Sequence, residues 1–186
     1  MFFKKLIKRY LVFKIVSGII FLTPVEIDAL ADGDQKYRYV LVVDISTRQI
    51  SLLENGNKLF VYPVGVPKYV FYKDKLPAVG ELVRIEMSPI WYPTQKTRDA
   101  YFKKKGVELP EIVGPFERDP RNAMGKVKFV VKFNRLMDTI RIHGTNEPGS
   151  IGKKISRGCI RMHNENILDL ADTIGNQKTK VIIKND

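Results

Sequence analysis

Short stretches of alternating apolar and polar residues recur along this chain, and that period of two is the mark of half-buried β-strands. Tyr39, Leu41, Val43 and Ile45 alternate in a β-branched run and predict a first strand. Ile50–Glu54 and Leu59–Tyr62 flank Asn55-Gly56, a pair that supplies the positive φ angles of a tight hairpin turn. Pro63 and Pro67 close that hairpin, and Leu82–Met87 predicts another strand, stopped by Pro89. Strands resume at Val127–Phe133 and Thr139–His143, and Thr179–Lys184 predicts a last one.

The period changes once, clearly. Ile167, Leu168, Ala171 and Ile174 fall on one face of a helix over Asn164–Ile174, with Asn164 placed to cap it and Gly175 placed to end it. Residues 88–126 are different again. They hold Pro89, Pro93, Pro110, Pro115 and Pro120 beside Trp91-Tyr92, and predict a long connection with one short helix near Thr97–Lys105. Long ordered connections often wall or cover a site; the bland alternative is a surface insertion. The elements together predict a mainly β, β-rich α+β domain, sandwich-like, with one or two short helices.

The first residues follow another logic. Lys4, Lys5, Lys8, Arg9 and Lys14 precede an apolar run, Ile15–Leu22, and Ala29-Leu30-Ala31 forms a small-x-small site. Residues 1–31 thus predict a secretory signal peptide, with an uncleaved anchor as the alternative, and place the protein in the periplasm or cell envelope. The run is short of the ~20 residues of a spanning helix, so the membrane enters only through this segment. The remaining domain is expected over residues 38–184.

The 186 residues suit one domain, and a composition 44% hydrophobic and 28% charged argues against disorder. The net charge is +12; residues 1–31 hold five of its basic and two of its acidic residues, which leaves +9 without them. Such a charge suggests nucleic acid, but the excess is scattered and no basic run interleaves with aromatics, so nucleic acid is not an expected partner. A basic surface equally suits an anionic polymer such as a cell wall, or is simply solvated.

One cysteine excludes an internal disulfide. In Thr139–His143 the apolar positions are Ile140 and Ile142, so His143 shares a face with Arg141 and is expected to be accessible at the strand's end. Cys159 lies in Ser156-Arg157-Gly158-Cys159-Ile160-Arg161. A free thiol is only about 3% ionised at neutral pH. Flanking Arg157 and Arg161, with a histidine, are expected to lower its pKa. The N–H groups of Gly158 and Cys159 could form an oxyanion hole. Cysteine and histidine together would split acyl transfer into two easier steps. On spacing alone the alternatives stand: an isolated cysteine is usually core, and a lone histidine usually surface. His143, Cys159 and His163 have no zinc-type spacing; His163 is most simply a helix-start residue, and neither metal nor cofactor is expected.

His143-Gly144-Thr145, followed by Ser156-Arg157-Gly158-Cys159-Ile160-Arg161-Met162, resembles the signature of YkuD-type L,D-transpeptidases, H-G-T/S and then S-x-G-C-x-R/N. The likeness runs more loosely from Tyr39 to the C-terminus, through Leu76–Gly80, Trp91–Thr94, Pro120–Gly125 and Asn164–Asn166. The resemblance implies a nucleophile, Cys159, and a base, His143, facing each other across a cleft. Cys159 would attack the carbonyl of the third residue of a peptidoglycan tetrapeptide stem, and D-Ala would leave. An amine of a second peptide would resolve the thioester, and carbapenems would acylate the same sulfur. Gly144 matches the position whose carbonyl orients the histidine, and Arg161 one that lines the site and can hold a substrate carboxylate. Ser156, Arg157 and Gly158 complete the substrate and oxyanion candidates. Arg157 stands where many members carry histidine; it cannot act as a base. The acceptor stays open between a stem peptide, a lipoprotein lysine, a D-amino acid and water. Water would make the enzyme an L,D-carboxypeptidase. An inactive wall-binding module is the remaining alternative.

Overall fold

The computed structural model describes residues 36–68, 76–133 and 140–185; the predicted signal segment lies outside them. The chain runs through β1 (Tyr39–Asp44), β2 (Gln49–Glu54), β3 (Asn57–Pro63), β4 (Val66–Pro67) and β5 (Ala78–Met87). Then come α1 (Gln95–Lys105), β6 (Val127–Phe133), β7 (Arg141–His143), β8 (Lys154–Ser156), β9 (Ile160–Arg161), α2 (Asn164–Ile174) and β10 (Thr179–Lys184). Eight strands form one sheet in the order β3-β2-β1-β10-β5-β6-β7-β9, and β4 pairs with β8 in a small second sheet. This is the expected sheet-rich α+β architecture. Most pairings are antiparallel, but β1 with β10, β7 with β9 and β4 with β8 are parallel.

Local chemistry explains the elements. Asn55 (φ 50°) and Gly56 (φ 79°) make the predicted hairpin turn between β2 and β3. β6 buries Val127, Phe129, Val131 and Phe133 and turns Lys128, Val130 and Lys132 the other way, as its period of two requires. β10 is buried along nearly its whole length because it lies inside the sheet, between β1 and β5.

α2 carries the chain from the sheet edge at β9 back to the middle at β10. It buries Ile167, Leu170, Ala171 and Ile174 against the core, each contributing about 1.5–3 kcal/mol for the larger side chains. Leu168, expected on that face, is only half-buried, and Leu170 takes the central place. Gly175 ends the helix, its N–H donating to Ala171 C=O.

The helix start departs from expectation. His163 is the N-cap residue and makes no side-chain cap bond, while Asn164 is the first helical residue. The Asn164 carboxamide is drawn away by a stronger demand. Its Oδ1 accepts from the backbone N–H of Lys126 (3.1 Å) and Thr145 (3.2 Å), and its Nδ2 donates to the Thr145 carbonyl (3.1 Å).

The long connection is ordered by polar staples. Buried Asn122 donates Nδ2 to the carbonyls of Pro89 (2.8 Å) and Gly114 (2.7 Å) and accepts from Met124 N–H (2.8 Å). Trp91 and Val113 exchange two backbone hydrogen bonds of 2.9 Å. α1 itself buries no residue. Thr94 caps its start, Gly106 (φ 70°) its end, and Lys103, Lys104 and Lys105 meet the negative end of its dipole.

Candidate active site

The β7–β9 pairing sets the geometry. Its parallel register places Ile142 opposite Ile160 and His143 opposite Arg161. One step back, Cys159 falls beside Arg141. Alternation then puts Arg141, His143, Cys159 and Arg161 on one face and the fully buried Ile142 and Ile160 on the other. His143 and Cys159 then stand diagonally from each other at this pairing. Both open into one cleft of about 520 Å³, walled on its far side by Thr97, Tyr101 and Lys104 of α1.

His143 lies on the predicted face, but it is not accessible as expected: only 2% of it is exposed. The face away from the core is itself roofed, by the Arg121–Met124 loop, by Asn146 and Glu147, and by α1. Nδ1 lies 2.6 Å from the Gly144 carbonyl oxygen. A carbonyl only accepts, so Nδ1 carries the proton and Nε2 keeps the lone pair. Burial pushes the His143 pKa from 6.5 down to about 4; the carbonyls of Gly144 and Ala123 pull against it, and the charges of Arg161 and Lys128 add to it.

Cys159 is a half-buried free thiol. Its expected acidity is also corrected. Burial raises its pKa, and this outweighs the lowering by the Arg141 backbone bond and by the Arg141 and Arg161 charges. The resting pair is therefore a neutral thiol beside a neutral imidazole.

Ser156 holds the turn that presents the sulfur: its Oγ donates to the Cys159 carbonyl and accepts from Gly158 N–H at 3.3 Å. That bond occupies the Gly158 amide, one of the two expected oxyanion donors. Arg161 pairs with Glu147 (Nη1–Oε2 2.9 Å), and exposed Arg157 reaches across the cleft to Thr97 (Nη1–Oγ1 3.1 Å). Gly144 has no room for a side chain, since a Cβ there would run into Asn164 Oδ1.

A second hollow, about 660 Å³, lies on the other face of α1 between Gln95, Arg98, Phe102 and Pro110. It holds neither cysteine nor histidine, so the first hollow is the candidate site. Among the described residues, no cluster of three His, Cys, Asp or Glu could hold a metal ion.

Residues 38–183 match the YkuD family, described as the L,D-transpeptidase catalytic domain. The chain belongs to the L,D-transpeptidase family. A protein named "Probable L,D-transpeptidase ErfK/SrfK" from Escherichia coli is 33% identical over 120 residues, 64% of this chain and 36% of that one. Its namesake from Salmonella typhimurium is 32% identical over 135 residues, 72% and 40% of the two chains. This L,D-transpeptidase domain thus aligns with well under half the length of those relatives. Solved structures share the fold. L,D-transpeptidase 3 from Mycobacterium tuberculosis superposes with a TM-score of 0.53 at 12% identity, covering 80% of this chain and 62% of the other. An L,D-transpeptidase from Mycobacterium smegmatis gives 0.51 at 16%, covering 80% and 59%.

Asn164 was not among the site residues expected from the sequence, where it was read as a helix cap and as part of the family-like stretch Asn164–Asn166. Three bonds to the Lys126 and Thr145 backbones tie it to the peptide that holds His143. Its place in the stretch Met162–Asn166, just after the cysteine motif, was the available signal.

Proposed function

We propose that this protein is an exported L,D-transpeptidase that remodels peptidoglycan, with Cys159 as nucleophile and His143 as base. The observation that carries the reading is the shared cleft: a family-matched histidine and the chain's single cysteine lie on one face of adjacent strands and open into it.

The neutral pair defines the first step. Cys159 Sγ attacks the carbonyl of the third residue of a tetrapeptide stem as its proton passes to His143 Nε2. The tetrahedral intermediate collapses to a thioester, His143 returns the proton to the departing amine, and D-Ala leaves. The amine of a second stem then attacks the thioester, His143 takes its proton, and the thiol is restored. The amide that remains is the new cross-link. A lipoprotein lysine in place of the second stem would attach a protein to the wall by the same steps; water would give carboxypeptidase activity.

The oxyanion is supported by the Cys159 N–H, and by Gly158 N–H once it exchanges Ser156 Oγ for the substrate oxygen. The N-terminal segment supports export to the periplasm or envelope. No helix among the described residues is long and apolar enough to cross a membrane.

Mass spectrometry of products from purified tetrapeptide muropeptides tests the reading. The wild type should release D-Ala and form cross-linked dimers, and Cys159→Ala should form neither. Products from Cys159→Ala at the wild-type rate would end it.

A further inference from the structure

Four cations line the cleft: Lys104, Arg121, Arg157 and Arg161. Three of them are already matched by carboxylates. Arg121 forks onto Asp119, with Nε 2.9 Å from Oδ1 and Nη2 2.8 Å from Oδ2. Glu147 takes the other two, lying 2.9 Å from Arg161 Nη1 and 3.8 Å from Lys104 Nζ. Arg157 differs. Its polar partner among the described residues is a neutral hydroxyl, Thr97 Oγ1 at 3.1 Å on the opposite wall.

A guanidinium stays charged at any working pH and offers five N–H donors in a planar fork that fits a carboxylate. Arg157 uses one of the five on Thr97. A charge-assisted bond is roughly twice as strong as one to a neutral acceptor, so an arriving carboxylate can displace the Thr97 hydroxyl. Recruiting Arg161 would instead set the arriving carboxylate beside Glu147, a like charge that already neutralises Arg161 and Lys104. Arg157 lines the same cleft as Cys159, so an anion held there shares that cleft with the reacting carbonyl.

We infer that Arg157, rather than Arg161, binds a free carboxylate of the acyl-donor peptide and makes the site selective for the acid over the amide. The inference rests on the stem-peptide reading above. It names a substrate class: short peptides with an unmodified carboxylate next to the scissile bond. That carboxylate belongs either to the side chain of the third residue or to the peptide's C-terminus.

The test measures binding without turnover, using the full chain with Cys159→Ala and calorimetric titration. Three tetrapeptides serve as probes: the free acid, the C-terminal amide, and the amide at the third residue's side chain. One amide should bind about 10- to 100-fold more weakly than the acid, the effect of a lost charged hydrogen bond, and its identity names the carboxylate. Adding Arg157→Gln should weaken acid binding by the same factor and bring acid and amide to within about twofold. Arg157→Lys, which keeps the charge without the fork, should recover part of the preference. Adding Arg161→Gln instead should leave the acid preferred. Equal binding of all three peptides to the Cys159→Ala protein, or a preference that survives Arg157→Gln, would overturn the assignment. D-Ala release by the wild type is measured in parallel: if it occurs while the preference ignores Arg157, only this inference falls. If no tetrapeptide is ever processed, the stem-peptide reading falls with it.

Discussion

His143 Nδ1 sits 2.6 Å from the carbonyl oxygen of Gly144, the residue that follows it. This short bond fixes which ring nitrogen carries the proton, and burial fixes that the ring carries only one. The consequence reaches beyond catalysis, because a buried neutral imidazole links stability to pH.

The His143 pKa falls from 6.5 to about 4 on folding. Above pH 6.5 the ring is neutral in both states and costs nothing. Between pH 6.5 and 4 only the unfolded chain takes up the proton, so stability is lost as pH falls. Below pH 4 both states are protonated and this contribution changes no further. The full loss is about 3 kcal/mol. Denaturant unfolding at pH 7, 5.5 and 4.5 should show it in the wild type and a shallower dependence in His143→Gln. Parallel curves would mean that His143 is not buried neutral. Comparing the two proteins cancels Asp44 and Glu86, whose lowered carboxyl pKa values also cost stability in acid.

The raised pKa of Cys159 predicts how the thiol reacts before substrate arrives. Alkylation by iodoacetamide should be slow at pH 7 and rise only above the ordinary thiol range, since the thiolate is the reacting species. A plateau already reached below pH 7 would reveal a resting thiolate–imidazolium pair instead. Under the proposed mechanism, activity at neutral pH depends on proton transfer to His143 during attack rather than on a stored thiolate. His143→Gln should therefore lose acylation by a carbapenem while its alkylation rate at pH 10 stays near the wild type's.

The sequence and the structure disagree where distant segments meet. Alternation gave the longer strands and the face of His143, because a strand's period is local. It gave the wrong exposure because the roof over that face comes from residues 121–124, 146–147 and α1, distant in sequence or separated by loops. The same applies to Cys159. Adjacent arginines suggested an acidic thiol, yet burial among folded elements outweighs them. The strands β4, β8 and β9 escaped detection because a run of two or three residues has no period to read. α1, expected near Thr97–Lys105, runs over Gln95–Lys105; it buries nothing and stands between two hollows.

Asn164, outside the cleft, is tied to the peptide that holds the proposed base, His143. Its Oδ1 accepts from Thr145 N–H, and that N–H belongs to the same peptide unit as the Gly144 carbonyl that holds His143 Nδ1. A peptide unit is rigid and planar, so anchoring its N–H also aims its carbonyl. Asn164→Ala would strand the N–H groups of Lys126 and Thr145 and the Thr145 carbonyl, at a cost of about 2 kcal/mol in this half-buried setting. Asn164→Asp keeps an acceptor for both N–H groups and gives up only the donated bond, so it should lose about half as much. If Asn164 only stabilises the fold, both variants should acylate Cys159 at the wild-type rate under conditions where they are fully folded. If it aims the imidazole, Asn164→Ala should acylate more slowly with unchanged carbapenem binding, and Asn164→Asp should restore most of the rate. Stopped-flow acylation, with folding checked by near-ultraviolet circular dichroism, separates the two, and equal rates in all three proteins would reduce Asn164 to a structural staple.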